Sequence, residues 1–201
     1  MTVAAELPRF SGFAHQVFDA QTSFRAVMNA LANPGRIETL AIRPHAPSRL
    51  APALAAAALT LIDQDTPVFL DRGFAGEREI AASLSFLTGC RFVDDPARAA
   101  FALIGEPGSA PDLSSFAQGT LEYPDRSTTL LFQVETLENG GPMRLSGPGI
   151  LGMRSLGADP LPPGFVDQLG ANRSRFPQGV DLLLCCGDRL AGLPRSTRIE
   201  V

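Results

Sequence analysis

The chain has 201 residues, a formal net charge of −4 and 45% hydrophobic residues. That suits one globular α/β-sized domain spanning 1–201, excludes a disordered chain, and leaves no global attraction for a nucleic-acid backbone or an anionic membrane. All 17 basic residues are arginine, which excludes a Schiff-base lysine, a phosphate-loop lysine and a Ser–Lys catalytic pair.

Met1 to Gln16 reads as a polar lead-in without the basic region and apolar core of a signal peptide. The first helix follows, with Asp19 as its N-cap and Phe24, Val27, Met28 and Leu31 at helical spacing. Asn33-Pro34-Gly35 ends it, and Ile37 to Ile42 alternates like a strand. Ser48 is placed to cap an alanine-rich helix running to about Ile62. Its apolar stretch is too short, and too broken by Pro52 and Thr60, to span a bilayer. Asp63-Gln64-Asp65 marks a turn into a buried strand over Thr66 to Leu70. Glu77 to Leu87 is helical, with Ile80, Leu84 and Leu87 on one face and Gly89 near the end.

Asp95-Pro96 opens a short helix, and Phe101 to Ile104 is a buried strand. Pro107 to Gln118 is a loop with about one helical turn. Thr128 to Leu137 reads as a strand, and Asn139-Gly140-Gly141 signals a hairpin into Met143 to Leu145. Ser146 to Gly149 is a tight loop. The proline-rich stretch Asp159 to Gly164 opens a last helix to about Arg173. Val180 to Cys186 is a continuous apolar run, the mark of a strand buried on both faces, and Leu193 to Val201 closes the chain as a strand. Alternating helices and strands with a hairpin in the middle predict a three-layer α/β/α sandwich on a mixed sheet.

Few residues carry chemistry. His15 and His45 fall in loops without the spacing of a catalytic triad, and their ordinary reading is solvated surface. Cys90, Cys185 and Cys186 are odd in number, and the last two are adjacent in an apolar run. They read as core residues, not as a disulfide or metal framework, and the default compartment is a reducing cytoplasm. Asp63 and Asp65, one residue apart between a helix and a strand, can aim two carboxylates into one cleft, where a pair can hold Mg²⁺ beside phosphates. The plainer reading is a turn bonded to its own amides. Gly147 and Gly149 follow a strand and can form an anion-binding nest, without the full dinucleotide or phosphate-loop pattern. A structural turn is the plainer reading. Arg25, Arg36 and Arg195 are the arginines placed to meet a phosphate or a partner carboxylate.

Several blocks together resemble one family. They are Asp19-Ala20-Gln21 through Ser23-Phe24-Arg25 to Asn33-Pro34-Gly35, then Leu59-Thr60-Leu61-Ile62-Asp63-Gln64-Asp65-Thr66-Pro67-Val68. Gly119-Thr120 with Thr129-Leu130 and Leu145-Ser146-Gly147-Pro148-Gly149-Ile150 come next. Phe176-Pro177-Gln178-Gly179-Val180-Asp181, Cys186-Gly187-Asp188-Arg189 and Leu193-Pro194-Arg195-Ser196-Thr197 close the series. In that order they resemble the PhnH family of the carbon–phosphorus lyase system. One departure stands out: Leu87, in Ser85-Phe86-Leu87-Thr88, occupies a place where the family often has histidine. Acid–base work resting on that position is lost here.

The resemblance implies a subunit of a cytoplasmic complex with subunits G, I, J and L. That complex makes ribose 1-phosphonate 5-triphosphate from ATP and an alkylphosphonate, displacing adenine, before a radical enzyme breaks the carbon–phosphorus bond. It also implies a homodimer, no activity alone, no cofactor or metal bound by this chain with ATP as substrate of the complex, and a fold similar to pyridoxal-phosphate transferases without their cofactor site. Two readings stay open. In one, the chain contributes residues to a shared transferase site, with Asp63 and Asp65 as catalytic candidates and Arg25, Arg195, Thr197, Gly147 and Gly149 as substrate- or anion-binding candidates. In the other it is an assembly subunit with no catalytic residues. A third, an unrelated nucleotide-binding module, would need a phosphate loop that the sequence lacks.

Overall fold

The structure, a computed structural model, describes residues 10–200. Its centre is built by the short apolar runs. β2 (Pro67–Leu70), β4 (Phe101–Ile104), β5 (Thr129–Gln133) and β8 (Asp181–Cys186) lie side by side and parallel, with β3 (Arg91–Phe92) parallel at one edge. β9 (Arg189–Leu193) turns back antiparallel beside β8, and β1 (Ile37–Thr39) is antiparallel to β9 at the other edge. The result is a seven-stranded mixed sheet ordered β1-β9-β8-β5-β4-β2-β3. Residues of β8 from Leu182 to Cys186 are all buried, as a strand covered on both faces requires.

Alternation along these strands feeds two cores. Leu103, Leu131 and Leu183 point to one face, where they meet α1 (Gln16–Ala32), α2 (Pro52–Leu61) and α4 (Arg78–Thr88). Ile104, Leu130, Phe132, Leu182 and Leu184 point to the other. That second cover is not a layer of helices. It joins α5 (Phe165–Ser174) to a three-stranded sheet ordered β10-β6-β7, from β6 (Thr136–Ser146), β7 (Arg154–Asp159) and β10 (Arg198–Glu200). Leu137, Met143, Leu145 and Leu156 of this small sheet bury its inner face against the main one. The molecule is thus mixed α/β on a mixed sheet, as its pattern predicts. The helical layer expected on the second face is partly replaced by strands.

Several elements depart from the sequence reading for local reasons. α1 begins at Gln16, so Asp19 lies in its first turn, where its carboxylate accepts from the His15 amide at 2.8 Å. Its buried face is Asp19, Ser23, Val27 and Ala30, whereas Phe24 and Met28 are each 46% exposed. Close approach decides this: α1 lies on β9 at Gly192, where a β-carbon would stand 2.6 Å from the Ala30 carbonyl oxygen. Only small side chains fit beneath, and the large ones face out. α2 is capped at Ala51 with Pro52 in its first turn, not at Ser48. Ala53 to Ala58 are all buried between sheet and neighbouring helices.

Asn139-Gly140-Gly141 is not a hairpin turn. β6 runs on through it as an irregularity in which Asn139 and Met143 both oppose Leu156 of β7. A β-carbon on Gly141 would stand 2.0 Å from the Gly157 Cα, so the strands touch backbone to backbone there. The true turn is the Gly147–Gly149 loop between β6 and β7. The single strand expected over Thr128 to Leu137 is split between β5 and β6, and the one expected from Leu193 is split between β9 and β10. The short α3 (Arg72–Ala75), β3 and β7 have no counterpart in the sequence reading. Most of the polar lead-in, and Val201, lie outside the described residues.

Candidate functional site

The parallel strands give the main sheet two unlike edges. Asp63, Asp65 and Arg195 all lie at the amino edge. Asp63 and Asp65 precede β2 on an exposed turn. The Asp63 Oδ1 accepts from the Asp65 amide at 3.0 Å and from the Thr66 hydroxyl at 2.5 Å. This is the self-bonded turn that aspartate favours.

Arg195 follows β9 and reaches back over the starts of β5 and β8. Its Nε donates to both Asp181 oxygens at 3.1 and 3.2 Å. Nη1 donates to the carbonyls of Pro124 (2.7 Å) and Pro177 (3.3 Å), and Nη2 donates to Asp181 and to Ser127 Oγ. The backbone amide of Arg195 adds a further bond to Asp181 at 2.8 Å. The guanidinium is therefore committed to the chain, tying three loops together. β2 and β8 stand three strand spacings apart, roughly 14 Å, so the aspartate turn and the arginine network do not share one cleft.

Thr197 is buried, with a hydroxyl that has no partner among the described residues. The structure brings it beside Gly147, whose missing β-carbon would lie 3.2 Å from the Ser196 carbonyl and 3.8 Å from the Thr197 Cα. Gly149, at φ +81°, lets the turn press on the end of α1: a β-carbon would stand 2.0 Å from the Ala32 carbonyl. Arg25 is exposed on α1, remote in the chain from these groups.

The carboxyl edge carries groups that sequence reading passed over. In open α/β sheets, ligands bind outside the carboxyl ends of the strands where their order reverses. Here β3 lies on one side of β2 and β4 on the other, which puts the reversal between β2 and β4. That crevice is filled by the chain itself. Asp71, directly after β2 and 4% exposed, accepts from the Phe74 amide (3.2 Å) and the Glu106 amide (2.8 Å), fastening α3 across the strand ends. Gly73 and Gly105 permit this contact, since a β-carbon on Gly105 would stand 2.8 Å from the Phe74 ring.

One strand along, the edge opens into a cleft of about 530 Å³. Gly105, Glu106, Pro107 and Ser109 from the loop after β4 line it, with Gln133, Val134 and Glu135 from the end of β5, and Arg49 and Pro160 at the rim. Gln133 fixes the rim: its Oε1 accepts from the Ala51 amide at 2.7 Å and its Nε2 donates to the Arg49 carbonyl at 2.9 Å. Arg49 faces Glu77 at 3.6 Å and the Gly73 carbonyl at 3.4 Å. A polar residue close after a strand read from the sequence, as Asp71 and Glu106 are, was the available signal.

The other candidates are structural. The His45 ring packs tilted against Phe10, with ring centroids 5.3 Å apart, and its strand-like bridge to Gly12 pins the start of the described chain. Leu87 belongs to the same joint: its Cδ2 would lie 3.4 Å from a β-carbon on Gly12, an apolar contact with Leu59 alongside. Burial pushes the Cys185 thiol up to about 12, and it raises that of Cys90. Among the described residues, no three His, Cys, Asp or Glu side chains gather as a metal site would need.

Comparison with known proteins adds three findings. The family described as bacterial phosphonate metabolism protein (PhnH) matches residues 11–200. The alpha-D-ribose 1-methylphosphonate 5-triphosphate synthase subunit PhnH of Rhizobium meliloti (strain 1021) is 40% identical over 201 residues, covering 100% of this chain and 99% of the relative. A Stutzerimonas stutzeri protein provisionally named C-P lyase subunit protein HtxG is 30% identical over 186 residues, 90% of this chain and 86% of its own.

Proposed function

The chain belongs to the PhnH family, and from that premise we propose that it is a subunit of a carbon–phosphorus lyase complex required for making ribose 1-phosphonate 5-triphosphate from ATP and an alkylphosphonate. The observation that carries this is the match to a synthase subunit over 100% of this chain and 99% of the relative. In this reading ATP is a substrate of the complex and subunits G, I, J and L are the partners. The family reading implies the cytoplasm as the compartment. Separately, no described helix is long and apolar enough to cross a membrane.

A homodimer within that complex is part of the proposal. Val17, Phe24 and Met28 stand 77%, 46% and 46% exposed along one side of α1, with Phe18 at 73% beside them. Such a row on a globular surface suits a partner. The likeness to pyridoxal-phosphate transferases is also a proposal, supported by the mixed seven-stranded sheet with one antiparallel return. The cofactor itself does not fit: without a lysine no internal aldimine can form.

Whether the chain supplies catalytic groups divides two readings. In the first, Asp63 and Asp65 act in a shared site and Arg25, Arg195, Thr197, Gly147 and Gly149 bind substrate or anion. In the second the chain organises the complex. The second is favoured by the self-bonded Asp63 turn and by the fully engaged Arg195. The test is reconstitution. Subunits G, I and L with ATP and methylphosphonate are followed by phosphorus NMR with and without this chain. Product should require the chain. Product formed at the same rate without it would end the proposal. Asp63→Asn in the same assay separates the readings, since loss of product with assembly intact establishes the catalytic one.

A further inference from the structure

The cleft at the carboxyl ends of β4 and β5 has a lining that selects a ligand by charge. Its ionisable groups are Glu106, Glu135 and Arg49, and the Arg49 guanidinium already faces the Glu77 carboxylate at 3.6 Å. Carboxylates outnumber the arginine, so a phosphate entering the cleft would meet net negative charge. Its apolar lining residues are Val134, which is 4% exposed, Pro107 and Pro160. Glu106 and Glu135 are exposed on the walls. The Glu135 carboxylate has no hydrogen bond among the described residues, and that of Glu106 has only a 3.4 Å approach from the Ser109 hydroxyl. Both are free to accept. The space, about 530 Å³, falls in the range of small-molecule sites, roughly 300–1,000 Å³.

An uncharged, donor-bearing ligand with an apolar face fits these conditions. We propose that this cleft binds the nucleoside end of an adenine nucleotide, base and ribose, and leaves the phosphates outside it. The ribose hydroxyls and the exocyclic amine donate to Glu106 and Glu135. The base packs against the apolar lining of Val134, Pro107 and Pro160, and the planar Arg49 guanidinium stacks at the rim. Gln133 acts as a positioning residue: its two bonds hold the backbone on either side of Leu50, and so set where Arg49 stands. The choice of adenine rests on the function proposed above, in which ATP is consumed; the preference for an uncharged ligand rests on the lining alone. Phosphates projecting from the cleft would be open to groups of another subunit, which suits a chain that holds a substrate for chemistry performed elsewhere.

The test is calorimetric titration of the full chain, alone and in the assembled complex, with adenosine, ATP and inorganic phosphate. Adenosine should bind the isolated chain at least as tightly as ATP does, and phosphate should not bind it. Glu106→Gln and Glu135→Gln should each weaken adenosine about tenfold, the value of one charge-assisted hydrogen bond. Arg175→Gln, in the separate cleft beside α5, should change nothing. The proposal is overturned if adenosine binds neither form, if ATP or phosphate binds the isolated chain more tightly than adenosine, or if both carboxamide variants bind adenosine like the parent. Native mass spectrometry of the same samples keeps the two ideas apart: failure of the parent chain to join its partners would sink the complex-subunit reading, whereas loss of adenosine binding in an intact complex would sink only this one.

Discussion

The two edges of the main sheet handle polar side chains in opposite ways. At the amino edge the chain engages its own polar groups: Arg195 joins Asp181, Ser127 and the carbonyls of Pro124 and Pro177, and Asp63 bonds its own turn, leaving the exposed Asp65 carboxylate without a bond among the described residues. At the carboxyl edge one group, Asp71, closes the crevice nearest the strand reversal, and the carboxylates of Glu106 and Glu135 are left beside an open cleft. Saturated groups hold a fold; open groups in a concavity can hold a ligand. An arginine or an aspartate pair is therefore read by what already occupies its hydrogen bonds, more than by its place in a motif.

That contrast can be broken by substitution. Arg195→Ala should cost the most, about 3 kcal/mol of unfolding free energy in denaturant titration, because it strands the partly buried Asp181 carboxylate and two loop carbonyls. A stable variant that had lost only ligand binding would move Arg195 from scaffold to site. Gln133→Ala should cost less, about 2 kcal/mol, by freeing the Ala51 amide and the Arg49 carbonyl. It should also weaken adenosine binding, which no amino-edge variant should do.

Asp63→Asn should lower stability by under about 1 kcal/mol, since asparagine builds the same turn. Under the assembly reading it leaves product formation unchanged, and its loss would establish the catalytic one. A further effect appears only at alkaline pH. The folded Cys185 thiol titrates near 12, against an ordinary value of 9.0. Its contribution is complete below pH 9 and is lost as pH rises from 9 toward 12. With no lysine and a single tyrosine, few groups compete in that window. Cys185→Ala should flatten the fall in denaturation midpoint between pH 9 and 11; an unchanged slope would contradict burial as its cause.

The sequence made some of this legible. Phe101 to Ile104 and Val180 to Cys186 announced central strands because apolar runs of that length fit a sheet covered on both sides. Gly89 marked the end of α4 because it takes the left-handed cap at φ +73°. What misled were residues whose meaning depends on a distant neighbour. Phe24 and Met28 have the spacing of core residues, but α1 is seated on Gly192, which admits only the Ser23 and Ala30 side of the helix. Gly140 and Gly141 have the look of a turn, but Gly157 lies against them. The aspartate pair could be read as a turn from its spacing, and Asp63 Oδ1 does bond that turn. The dependence on distant neighbours holds for the cleft as well. Arg49, Glu106 and Glu135 come from three separate segments that only the strand order gathers.

The central claim is that this chain works as part of an assembly. The most direct measurement is to co-express it with subunits G, I, J and L and weigh the purified product by native mass spectrometry. A stable, stoichiometric complex containing this chain is the predicted result. A chain that purifies alone, as monomer or dimer, while the other subunits assemble without it, would contradict the account.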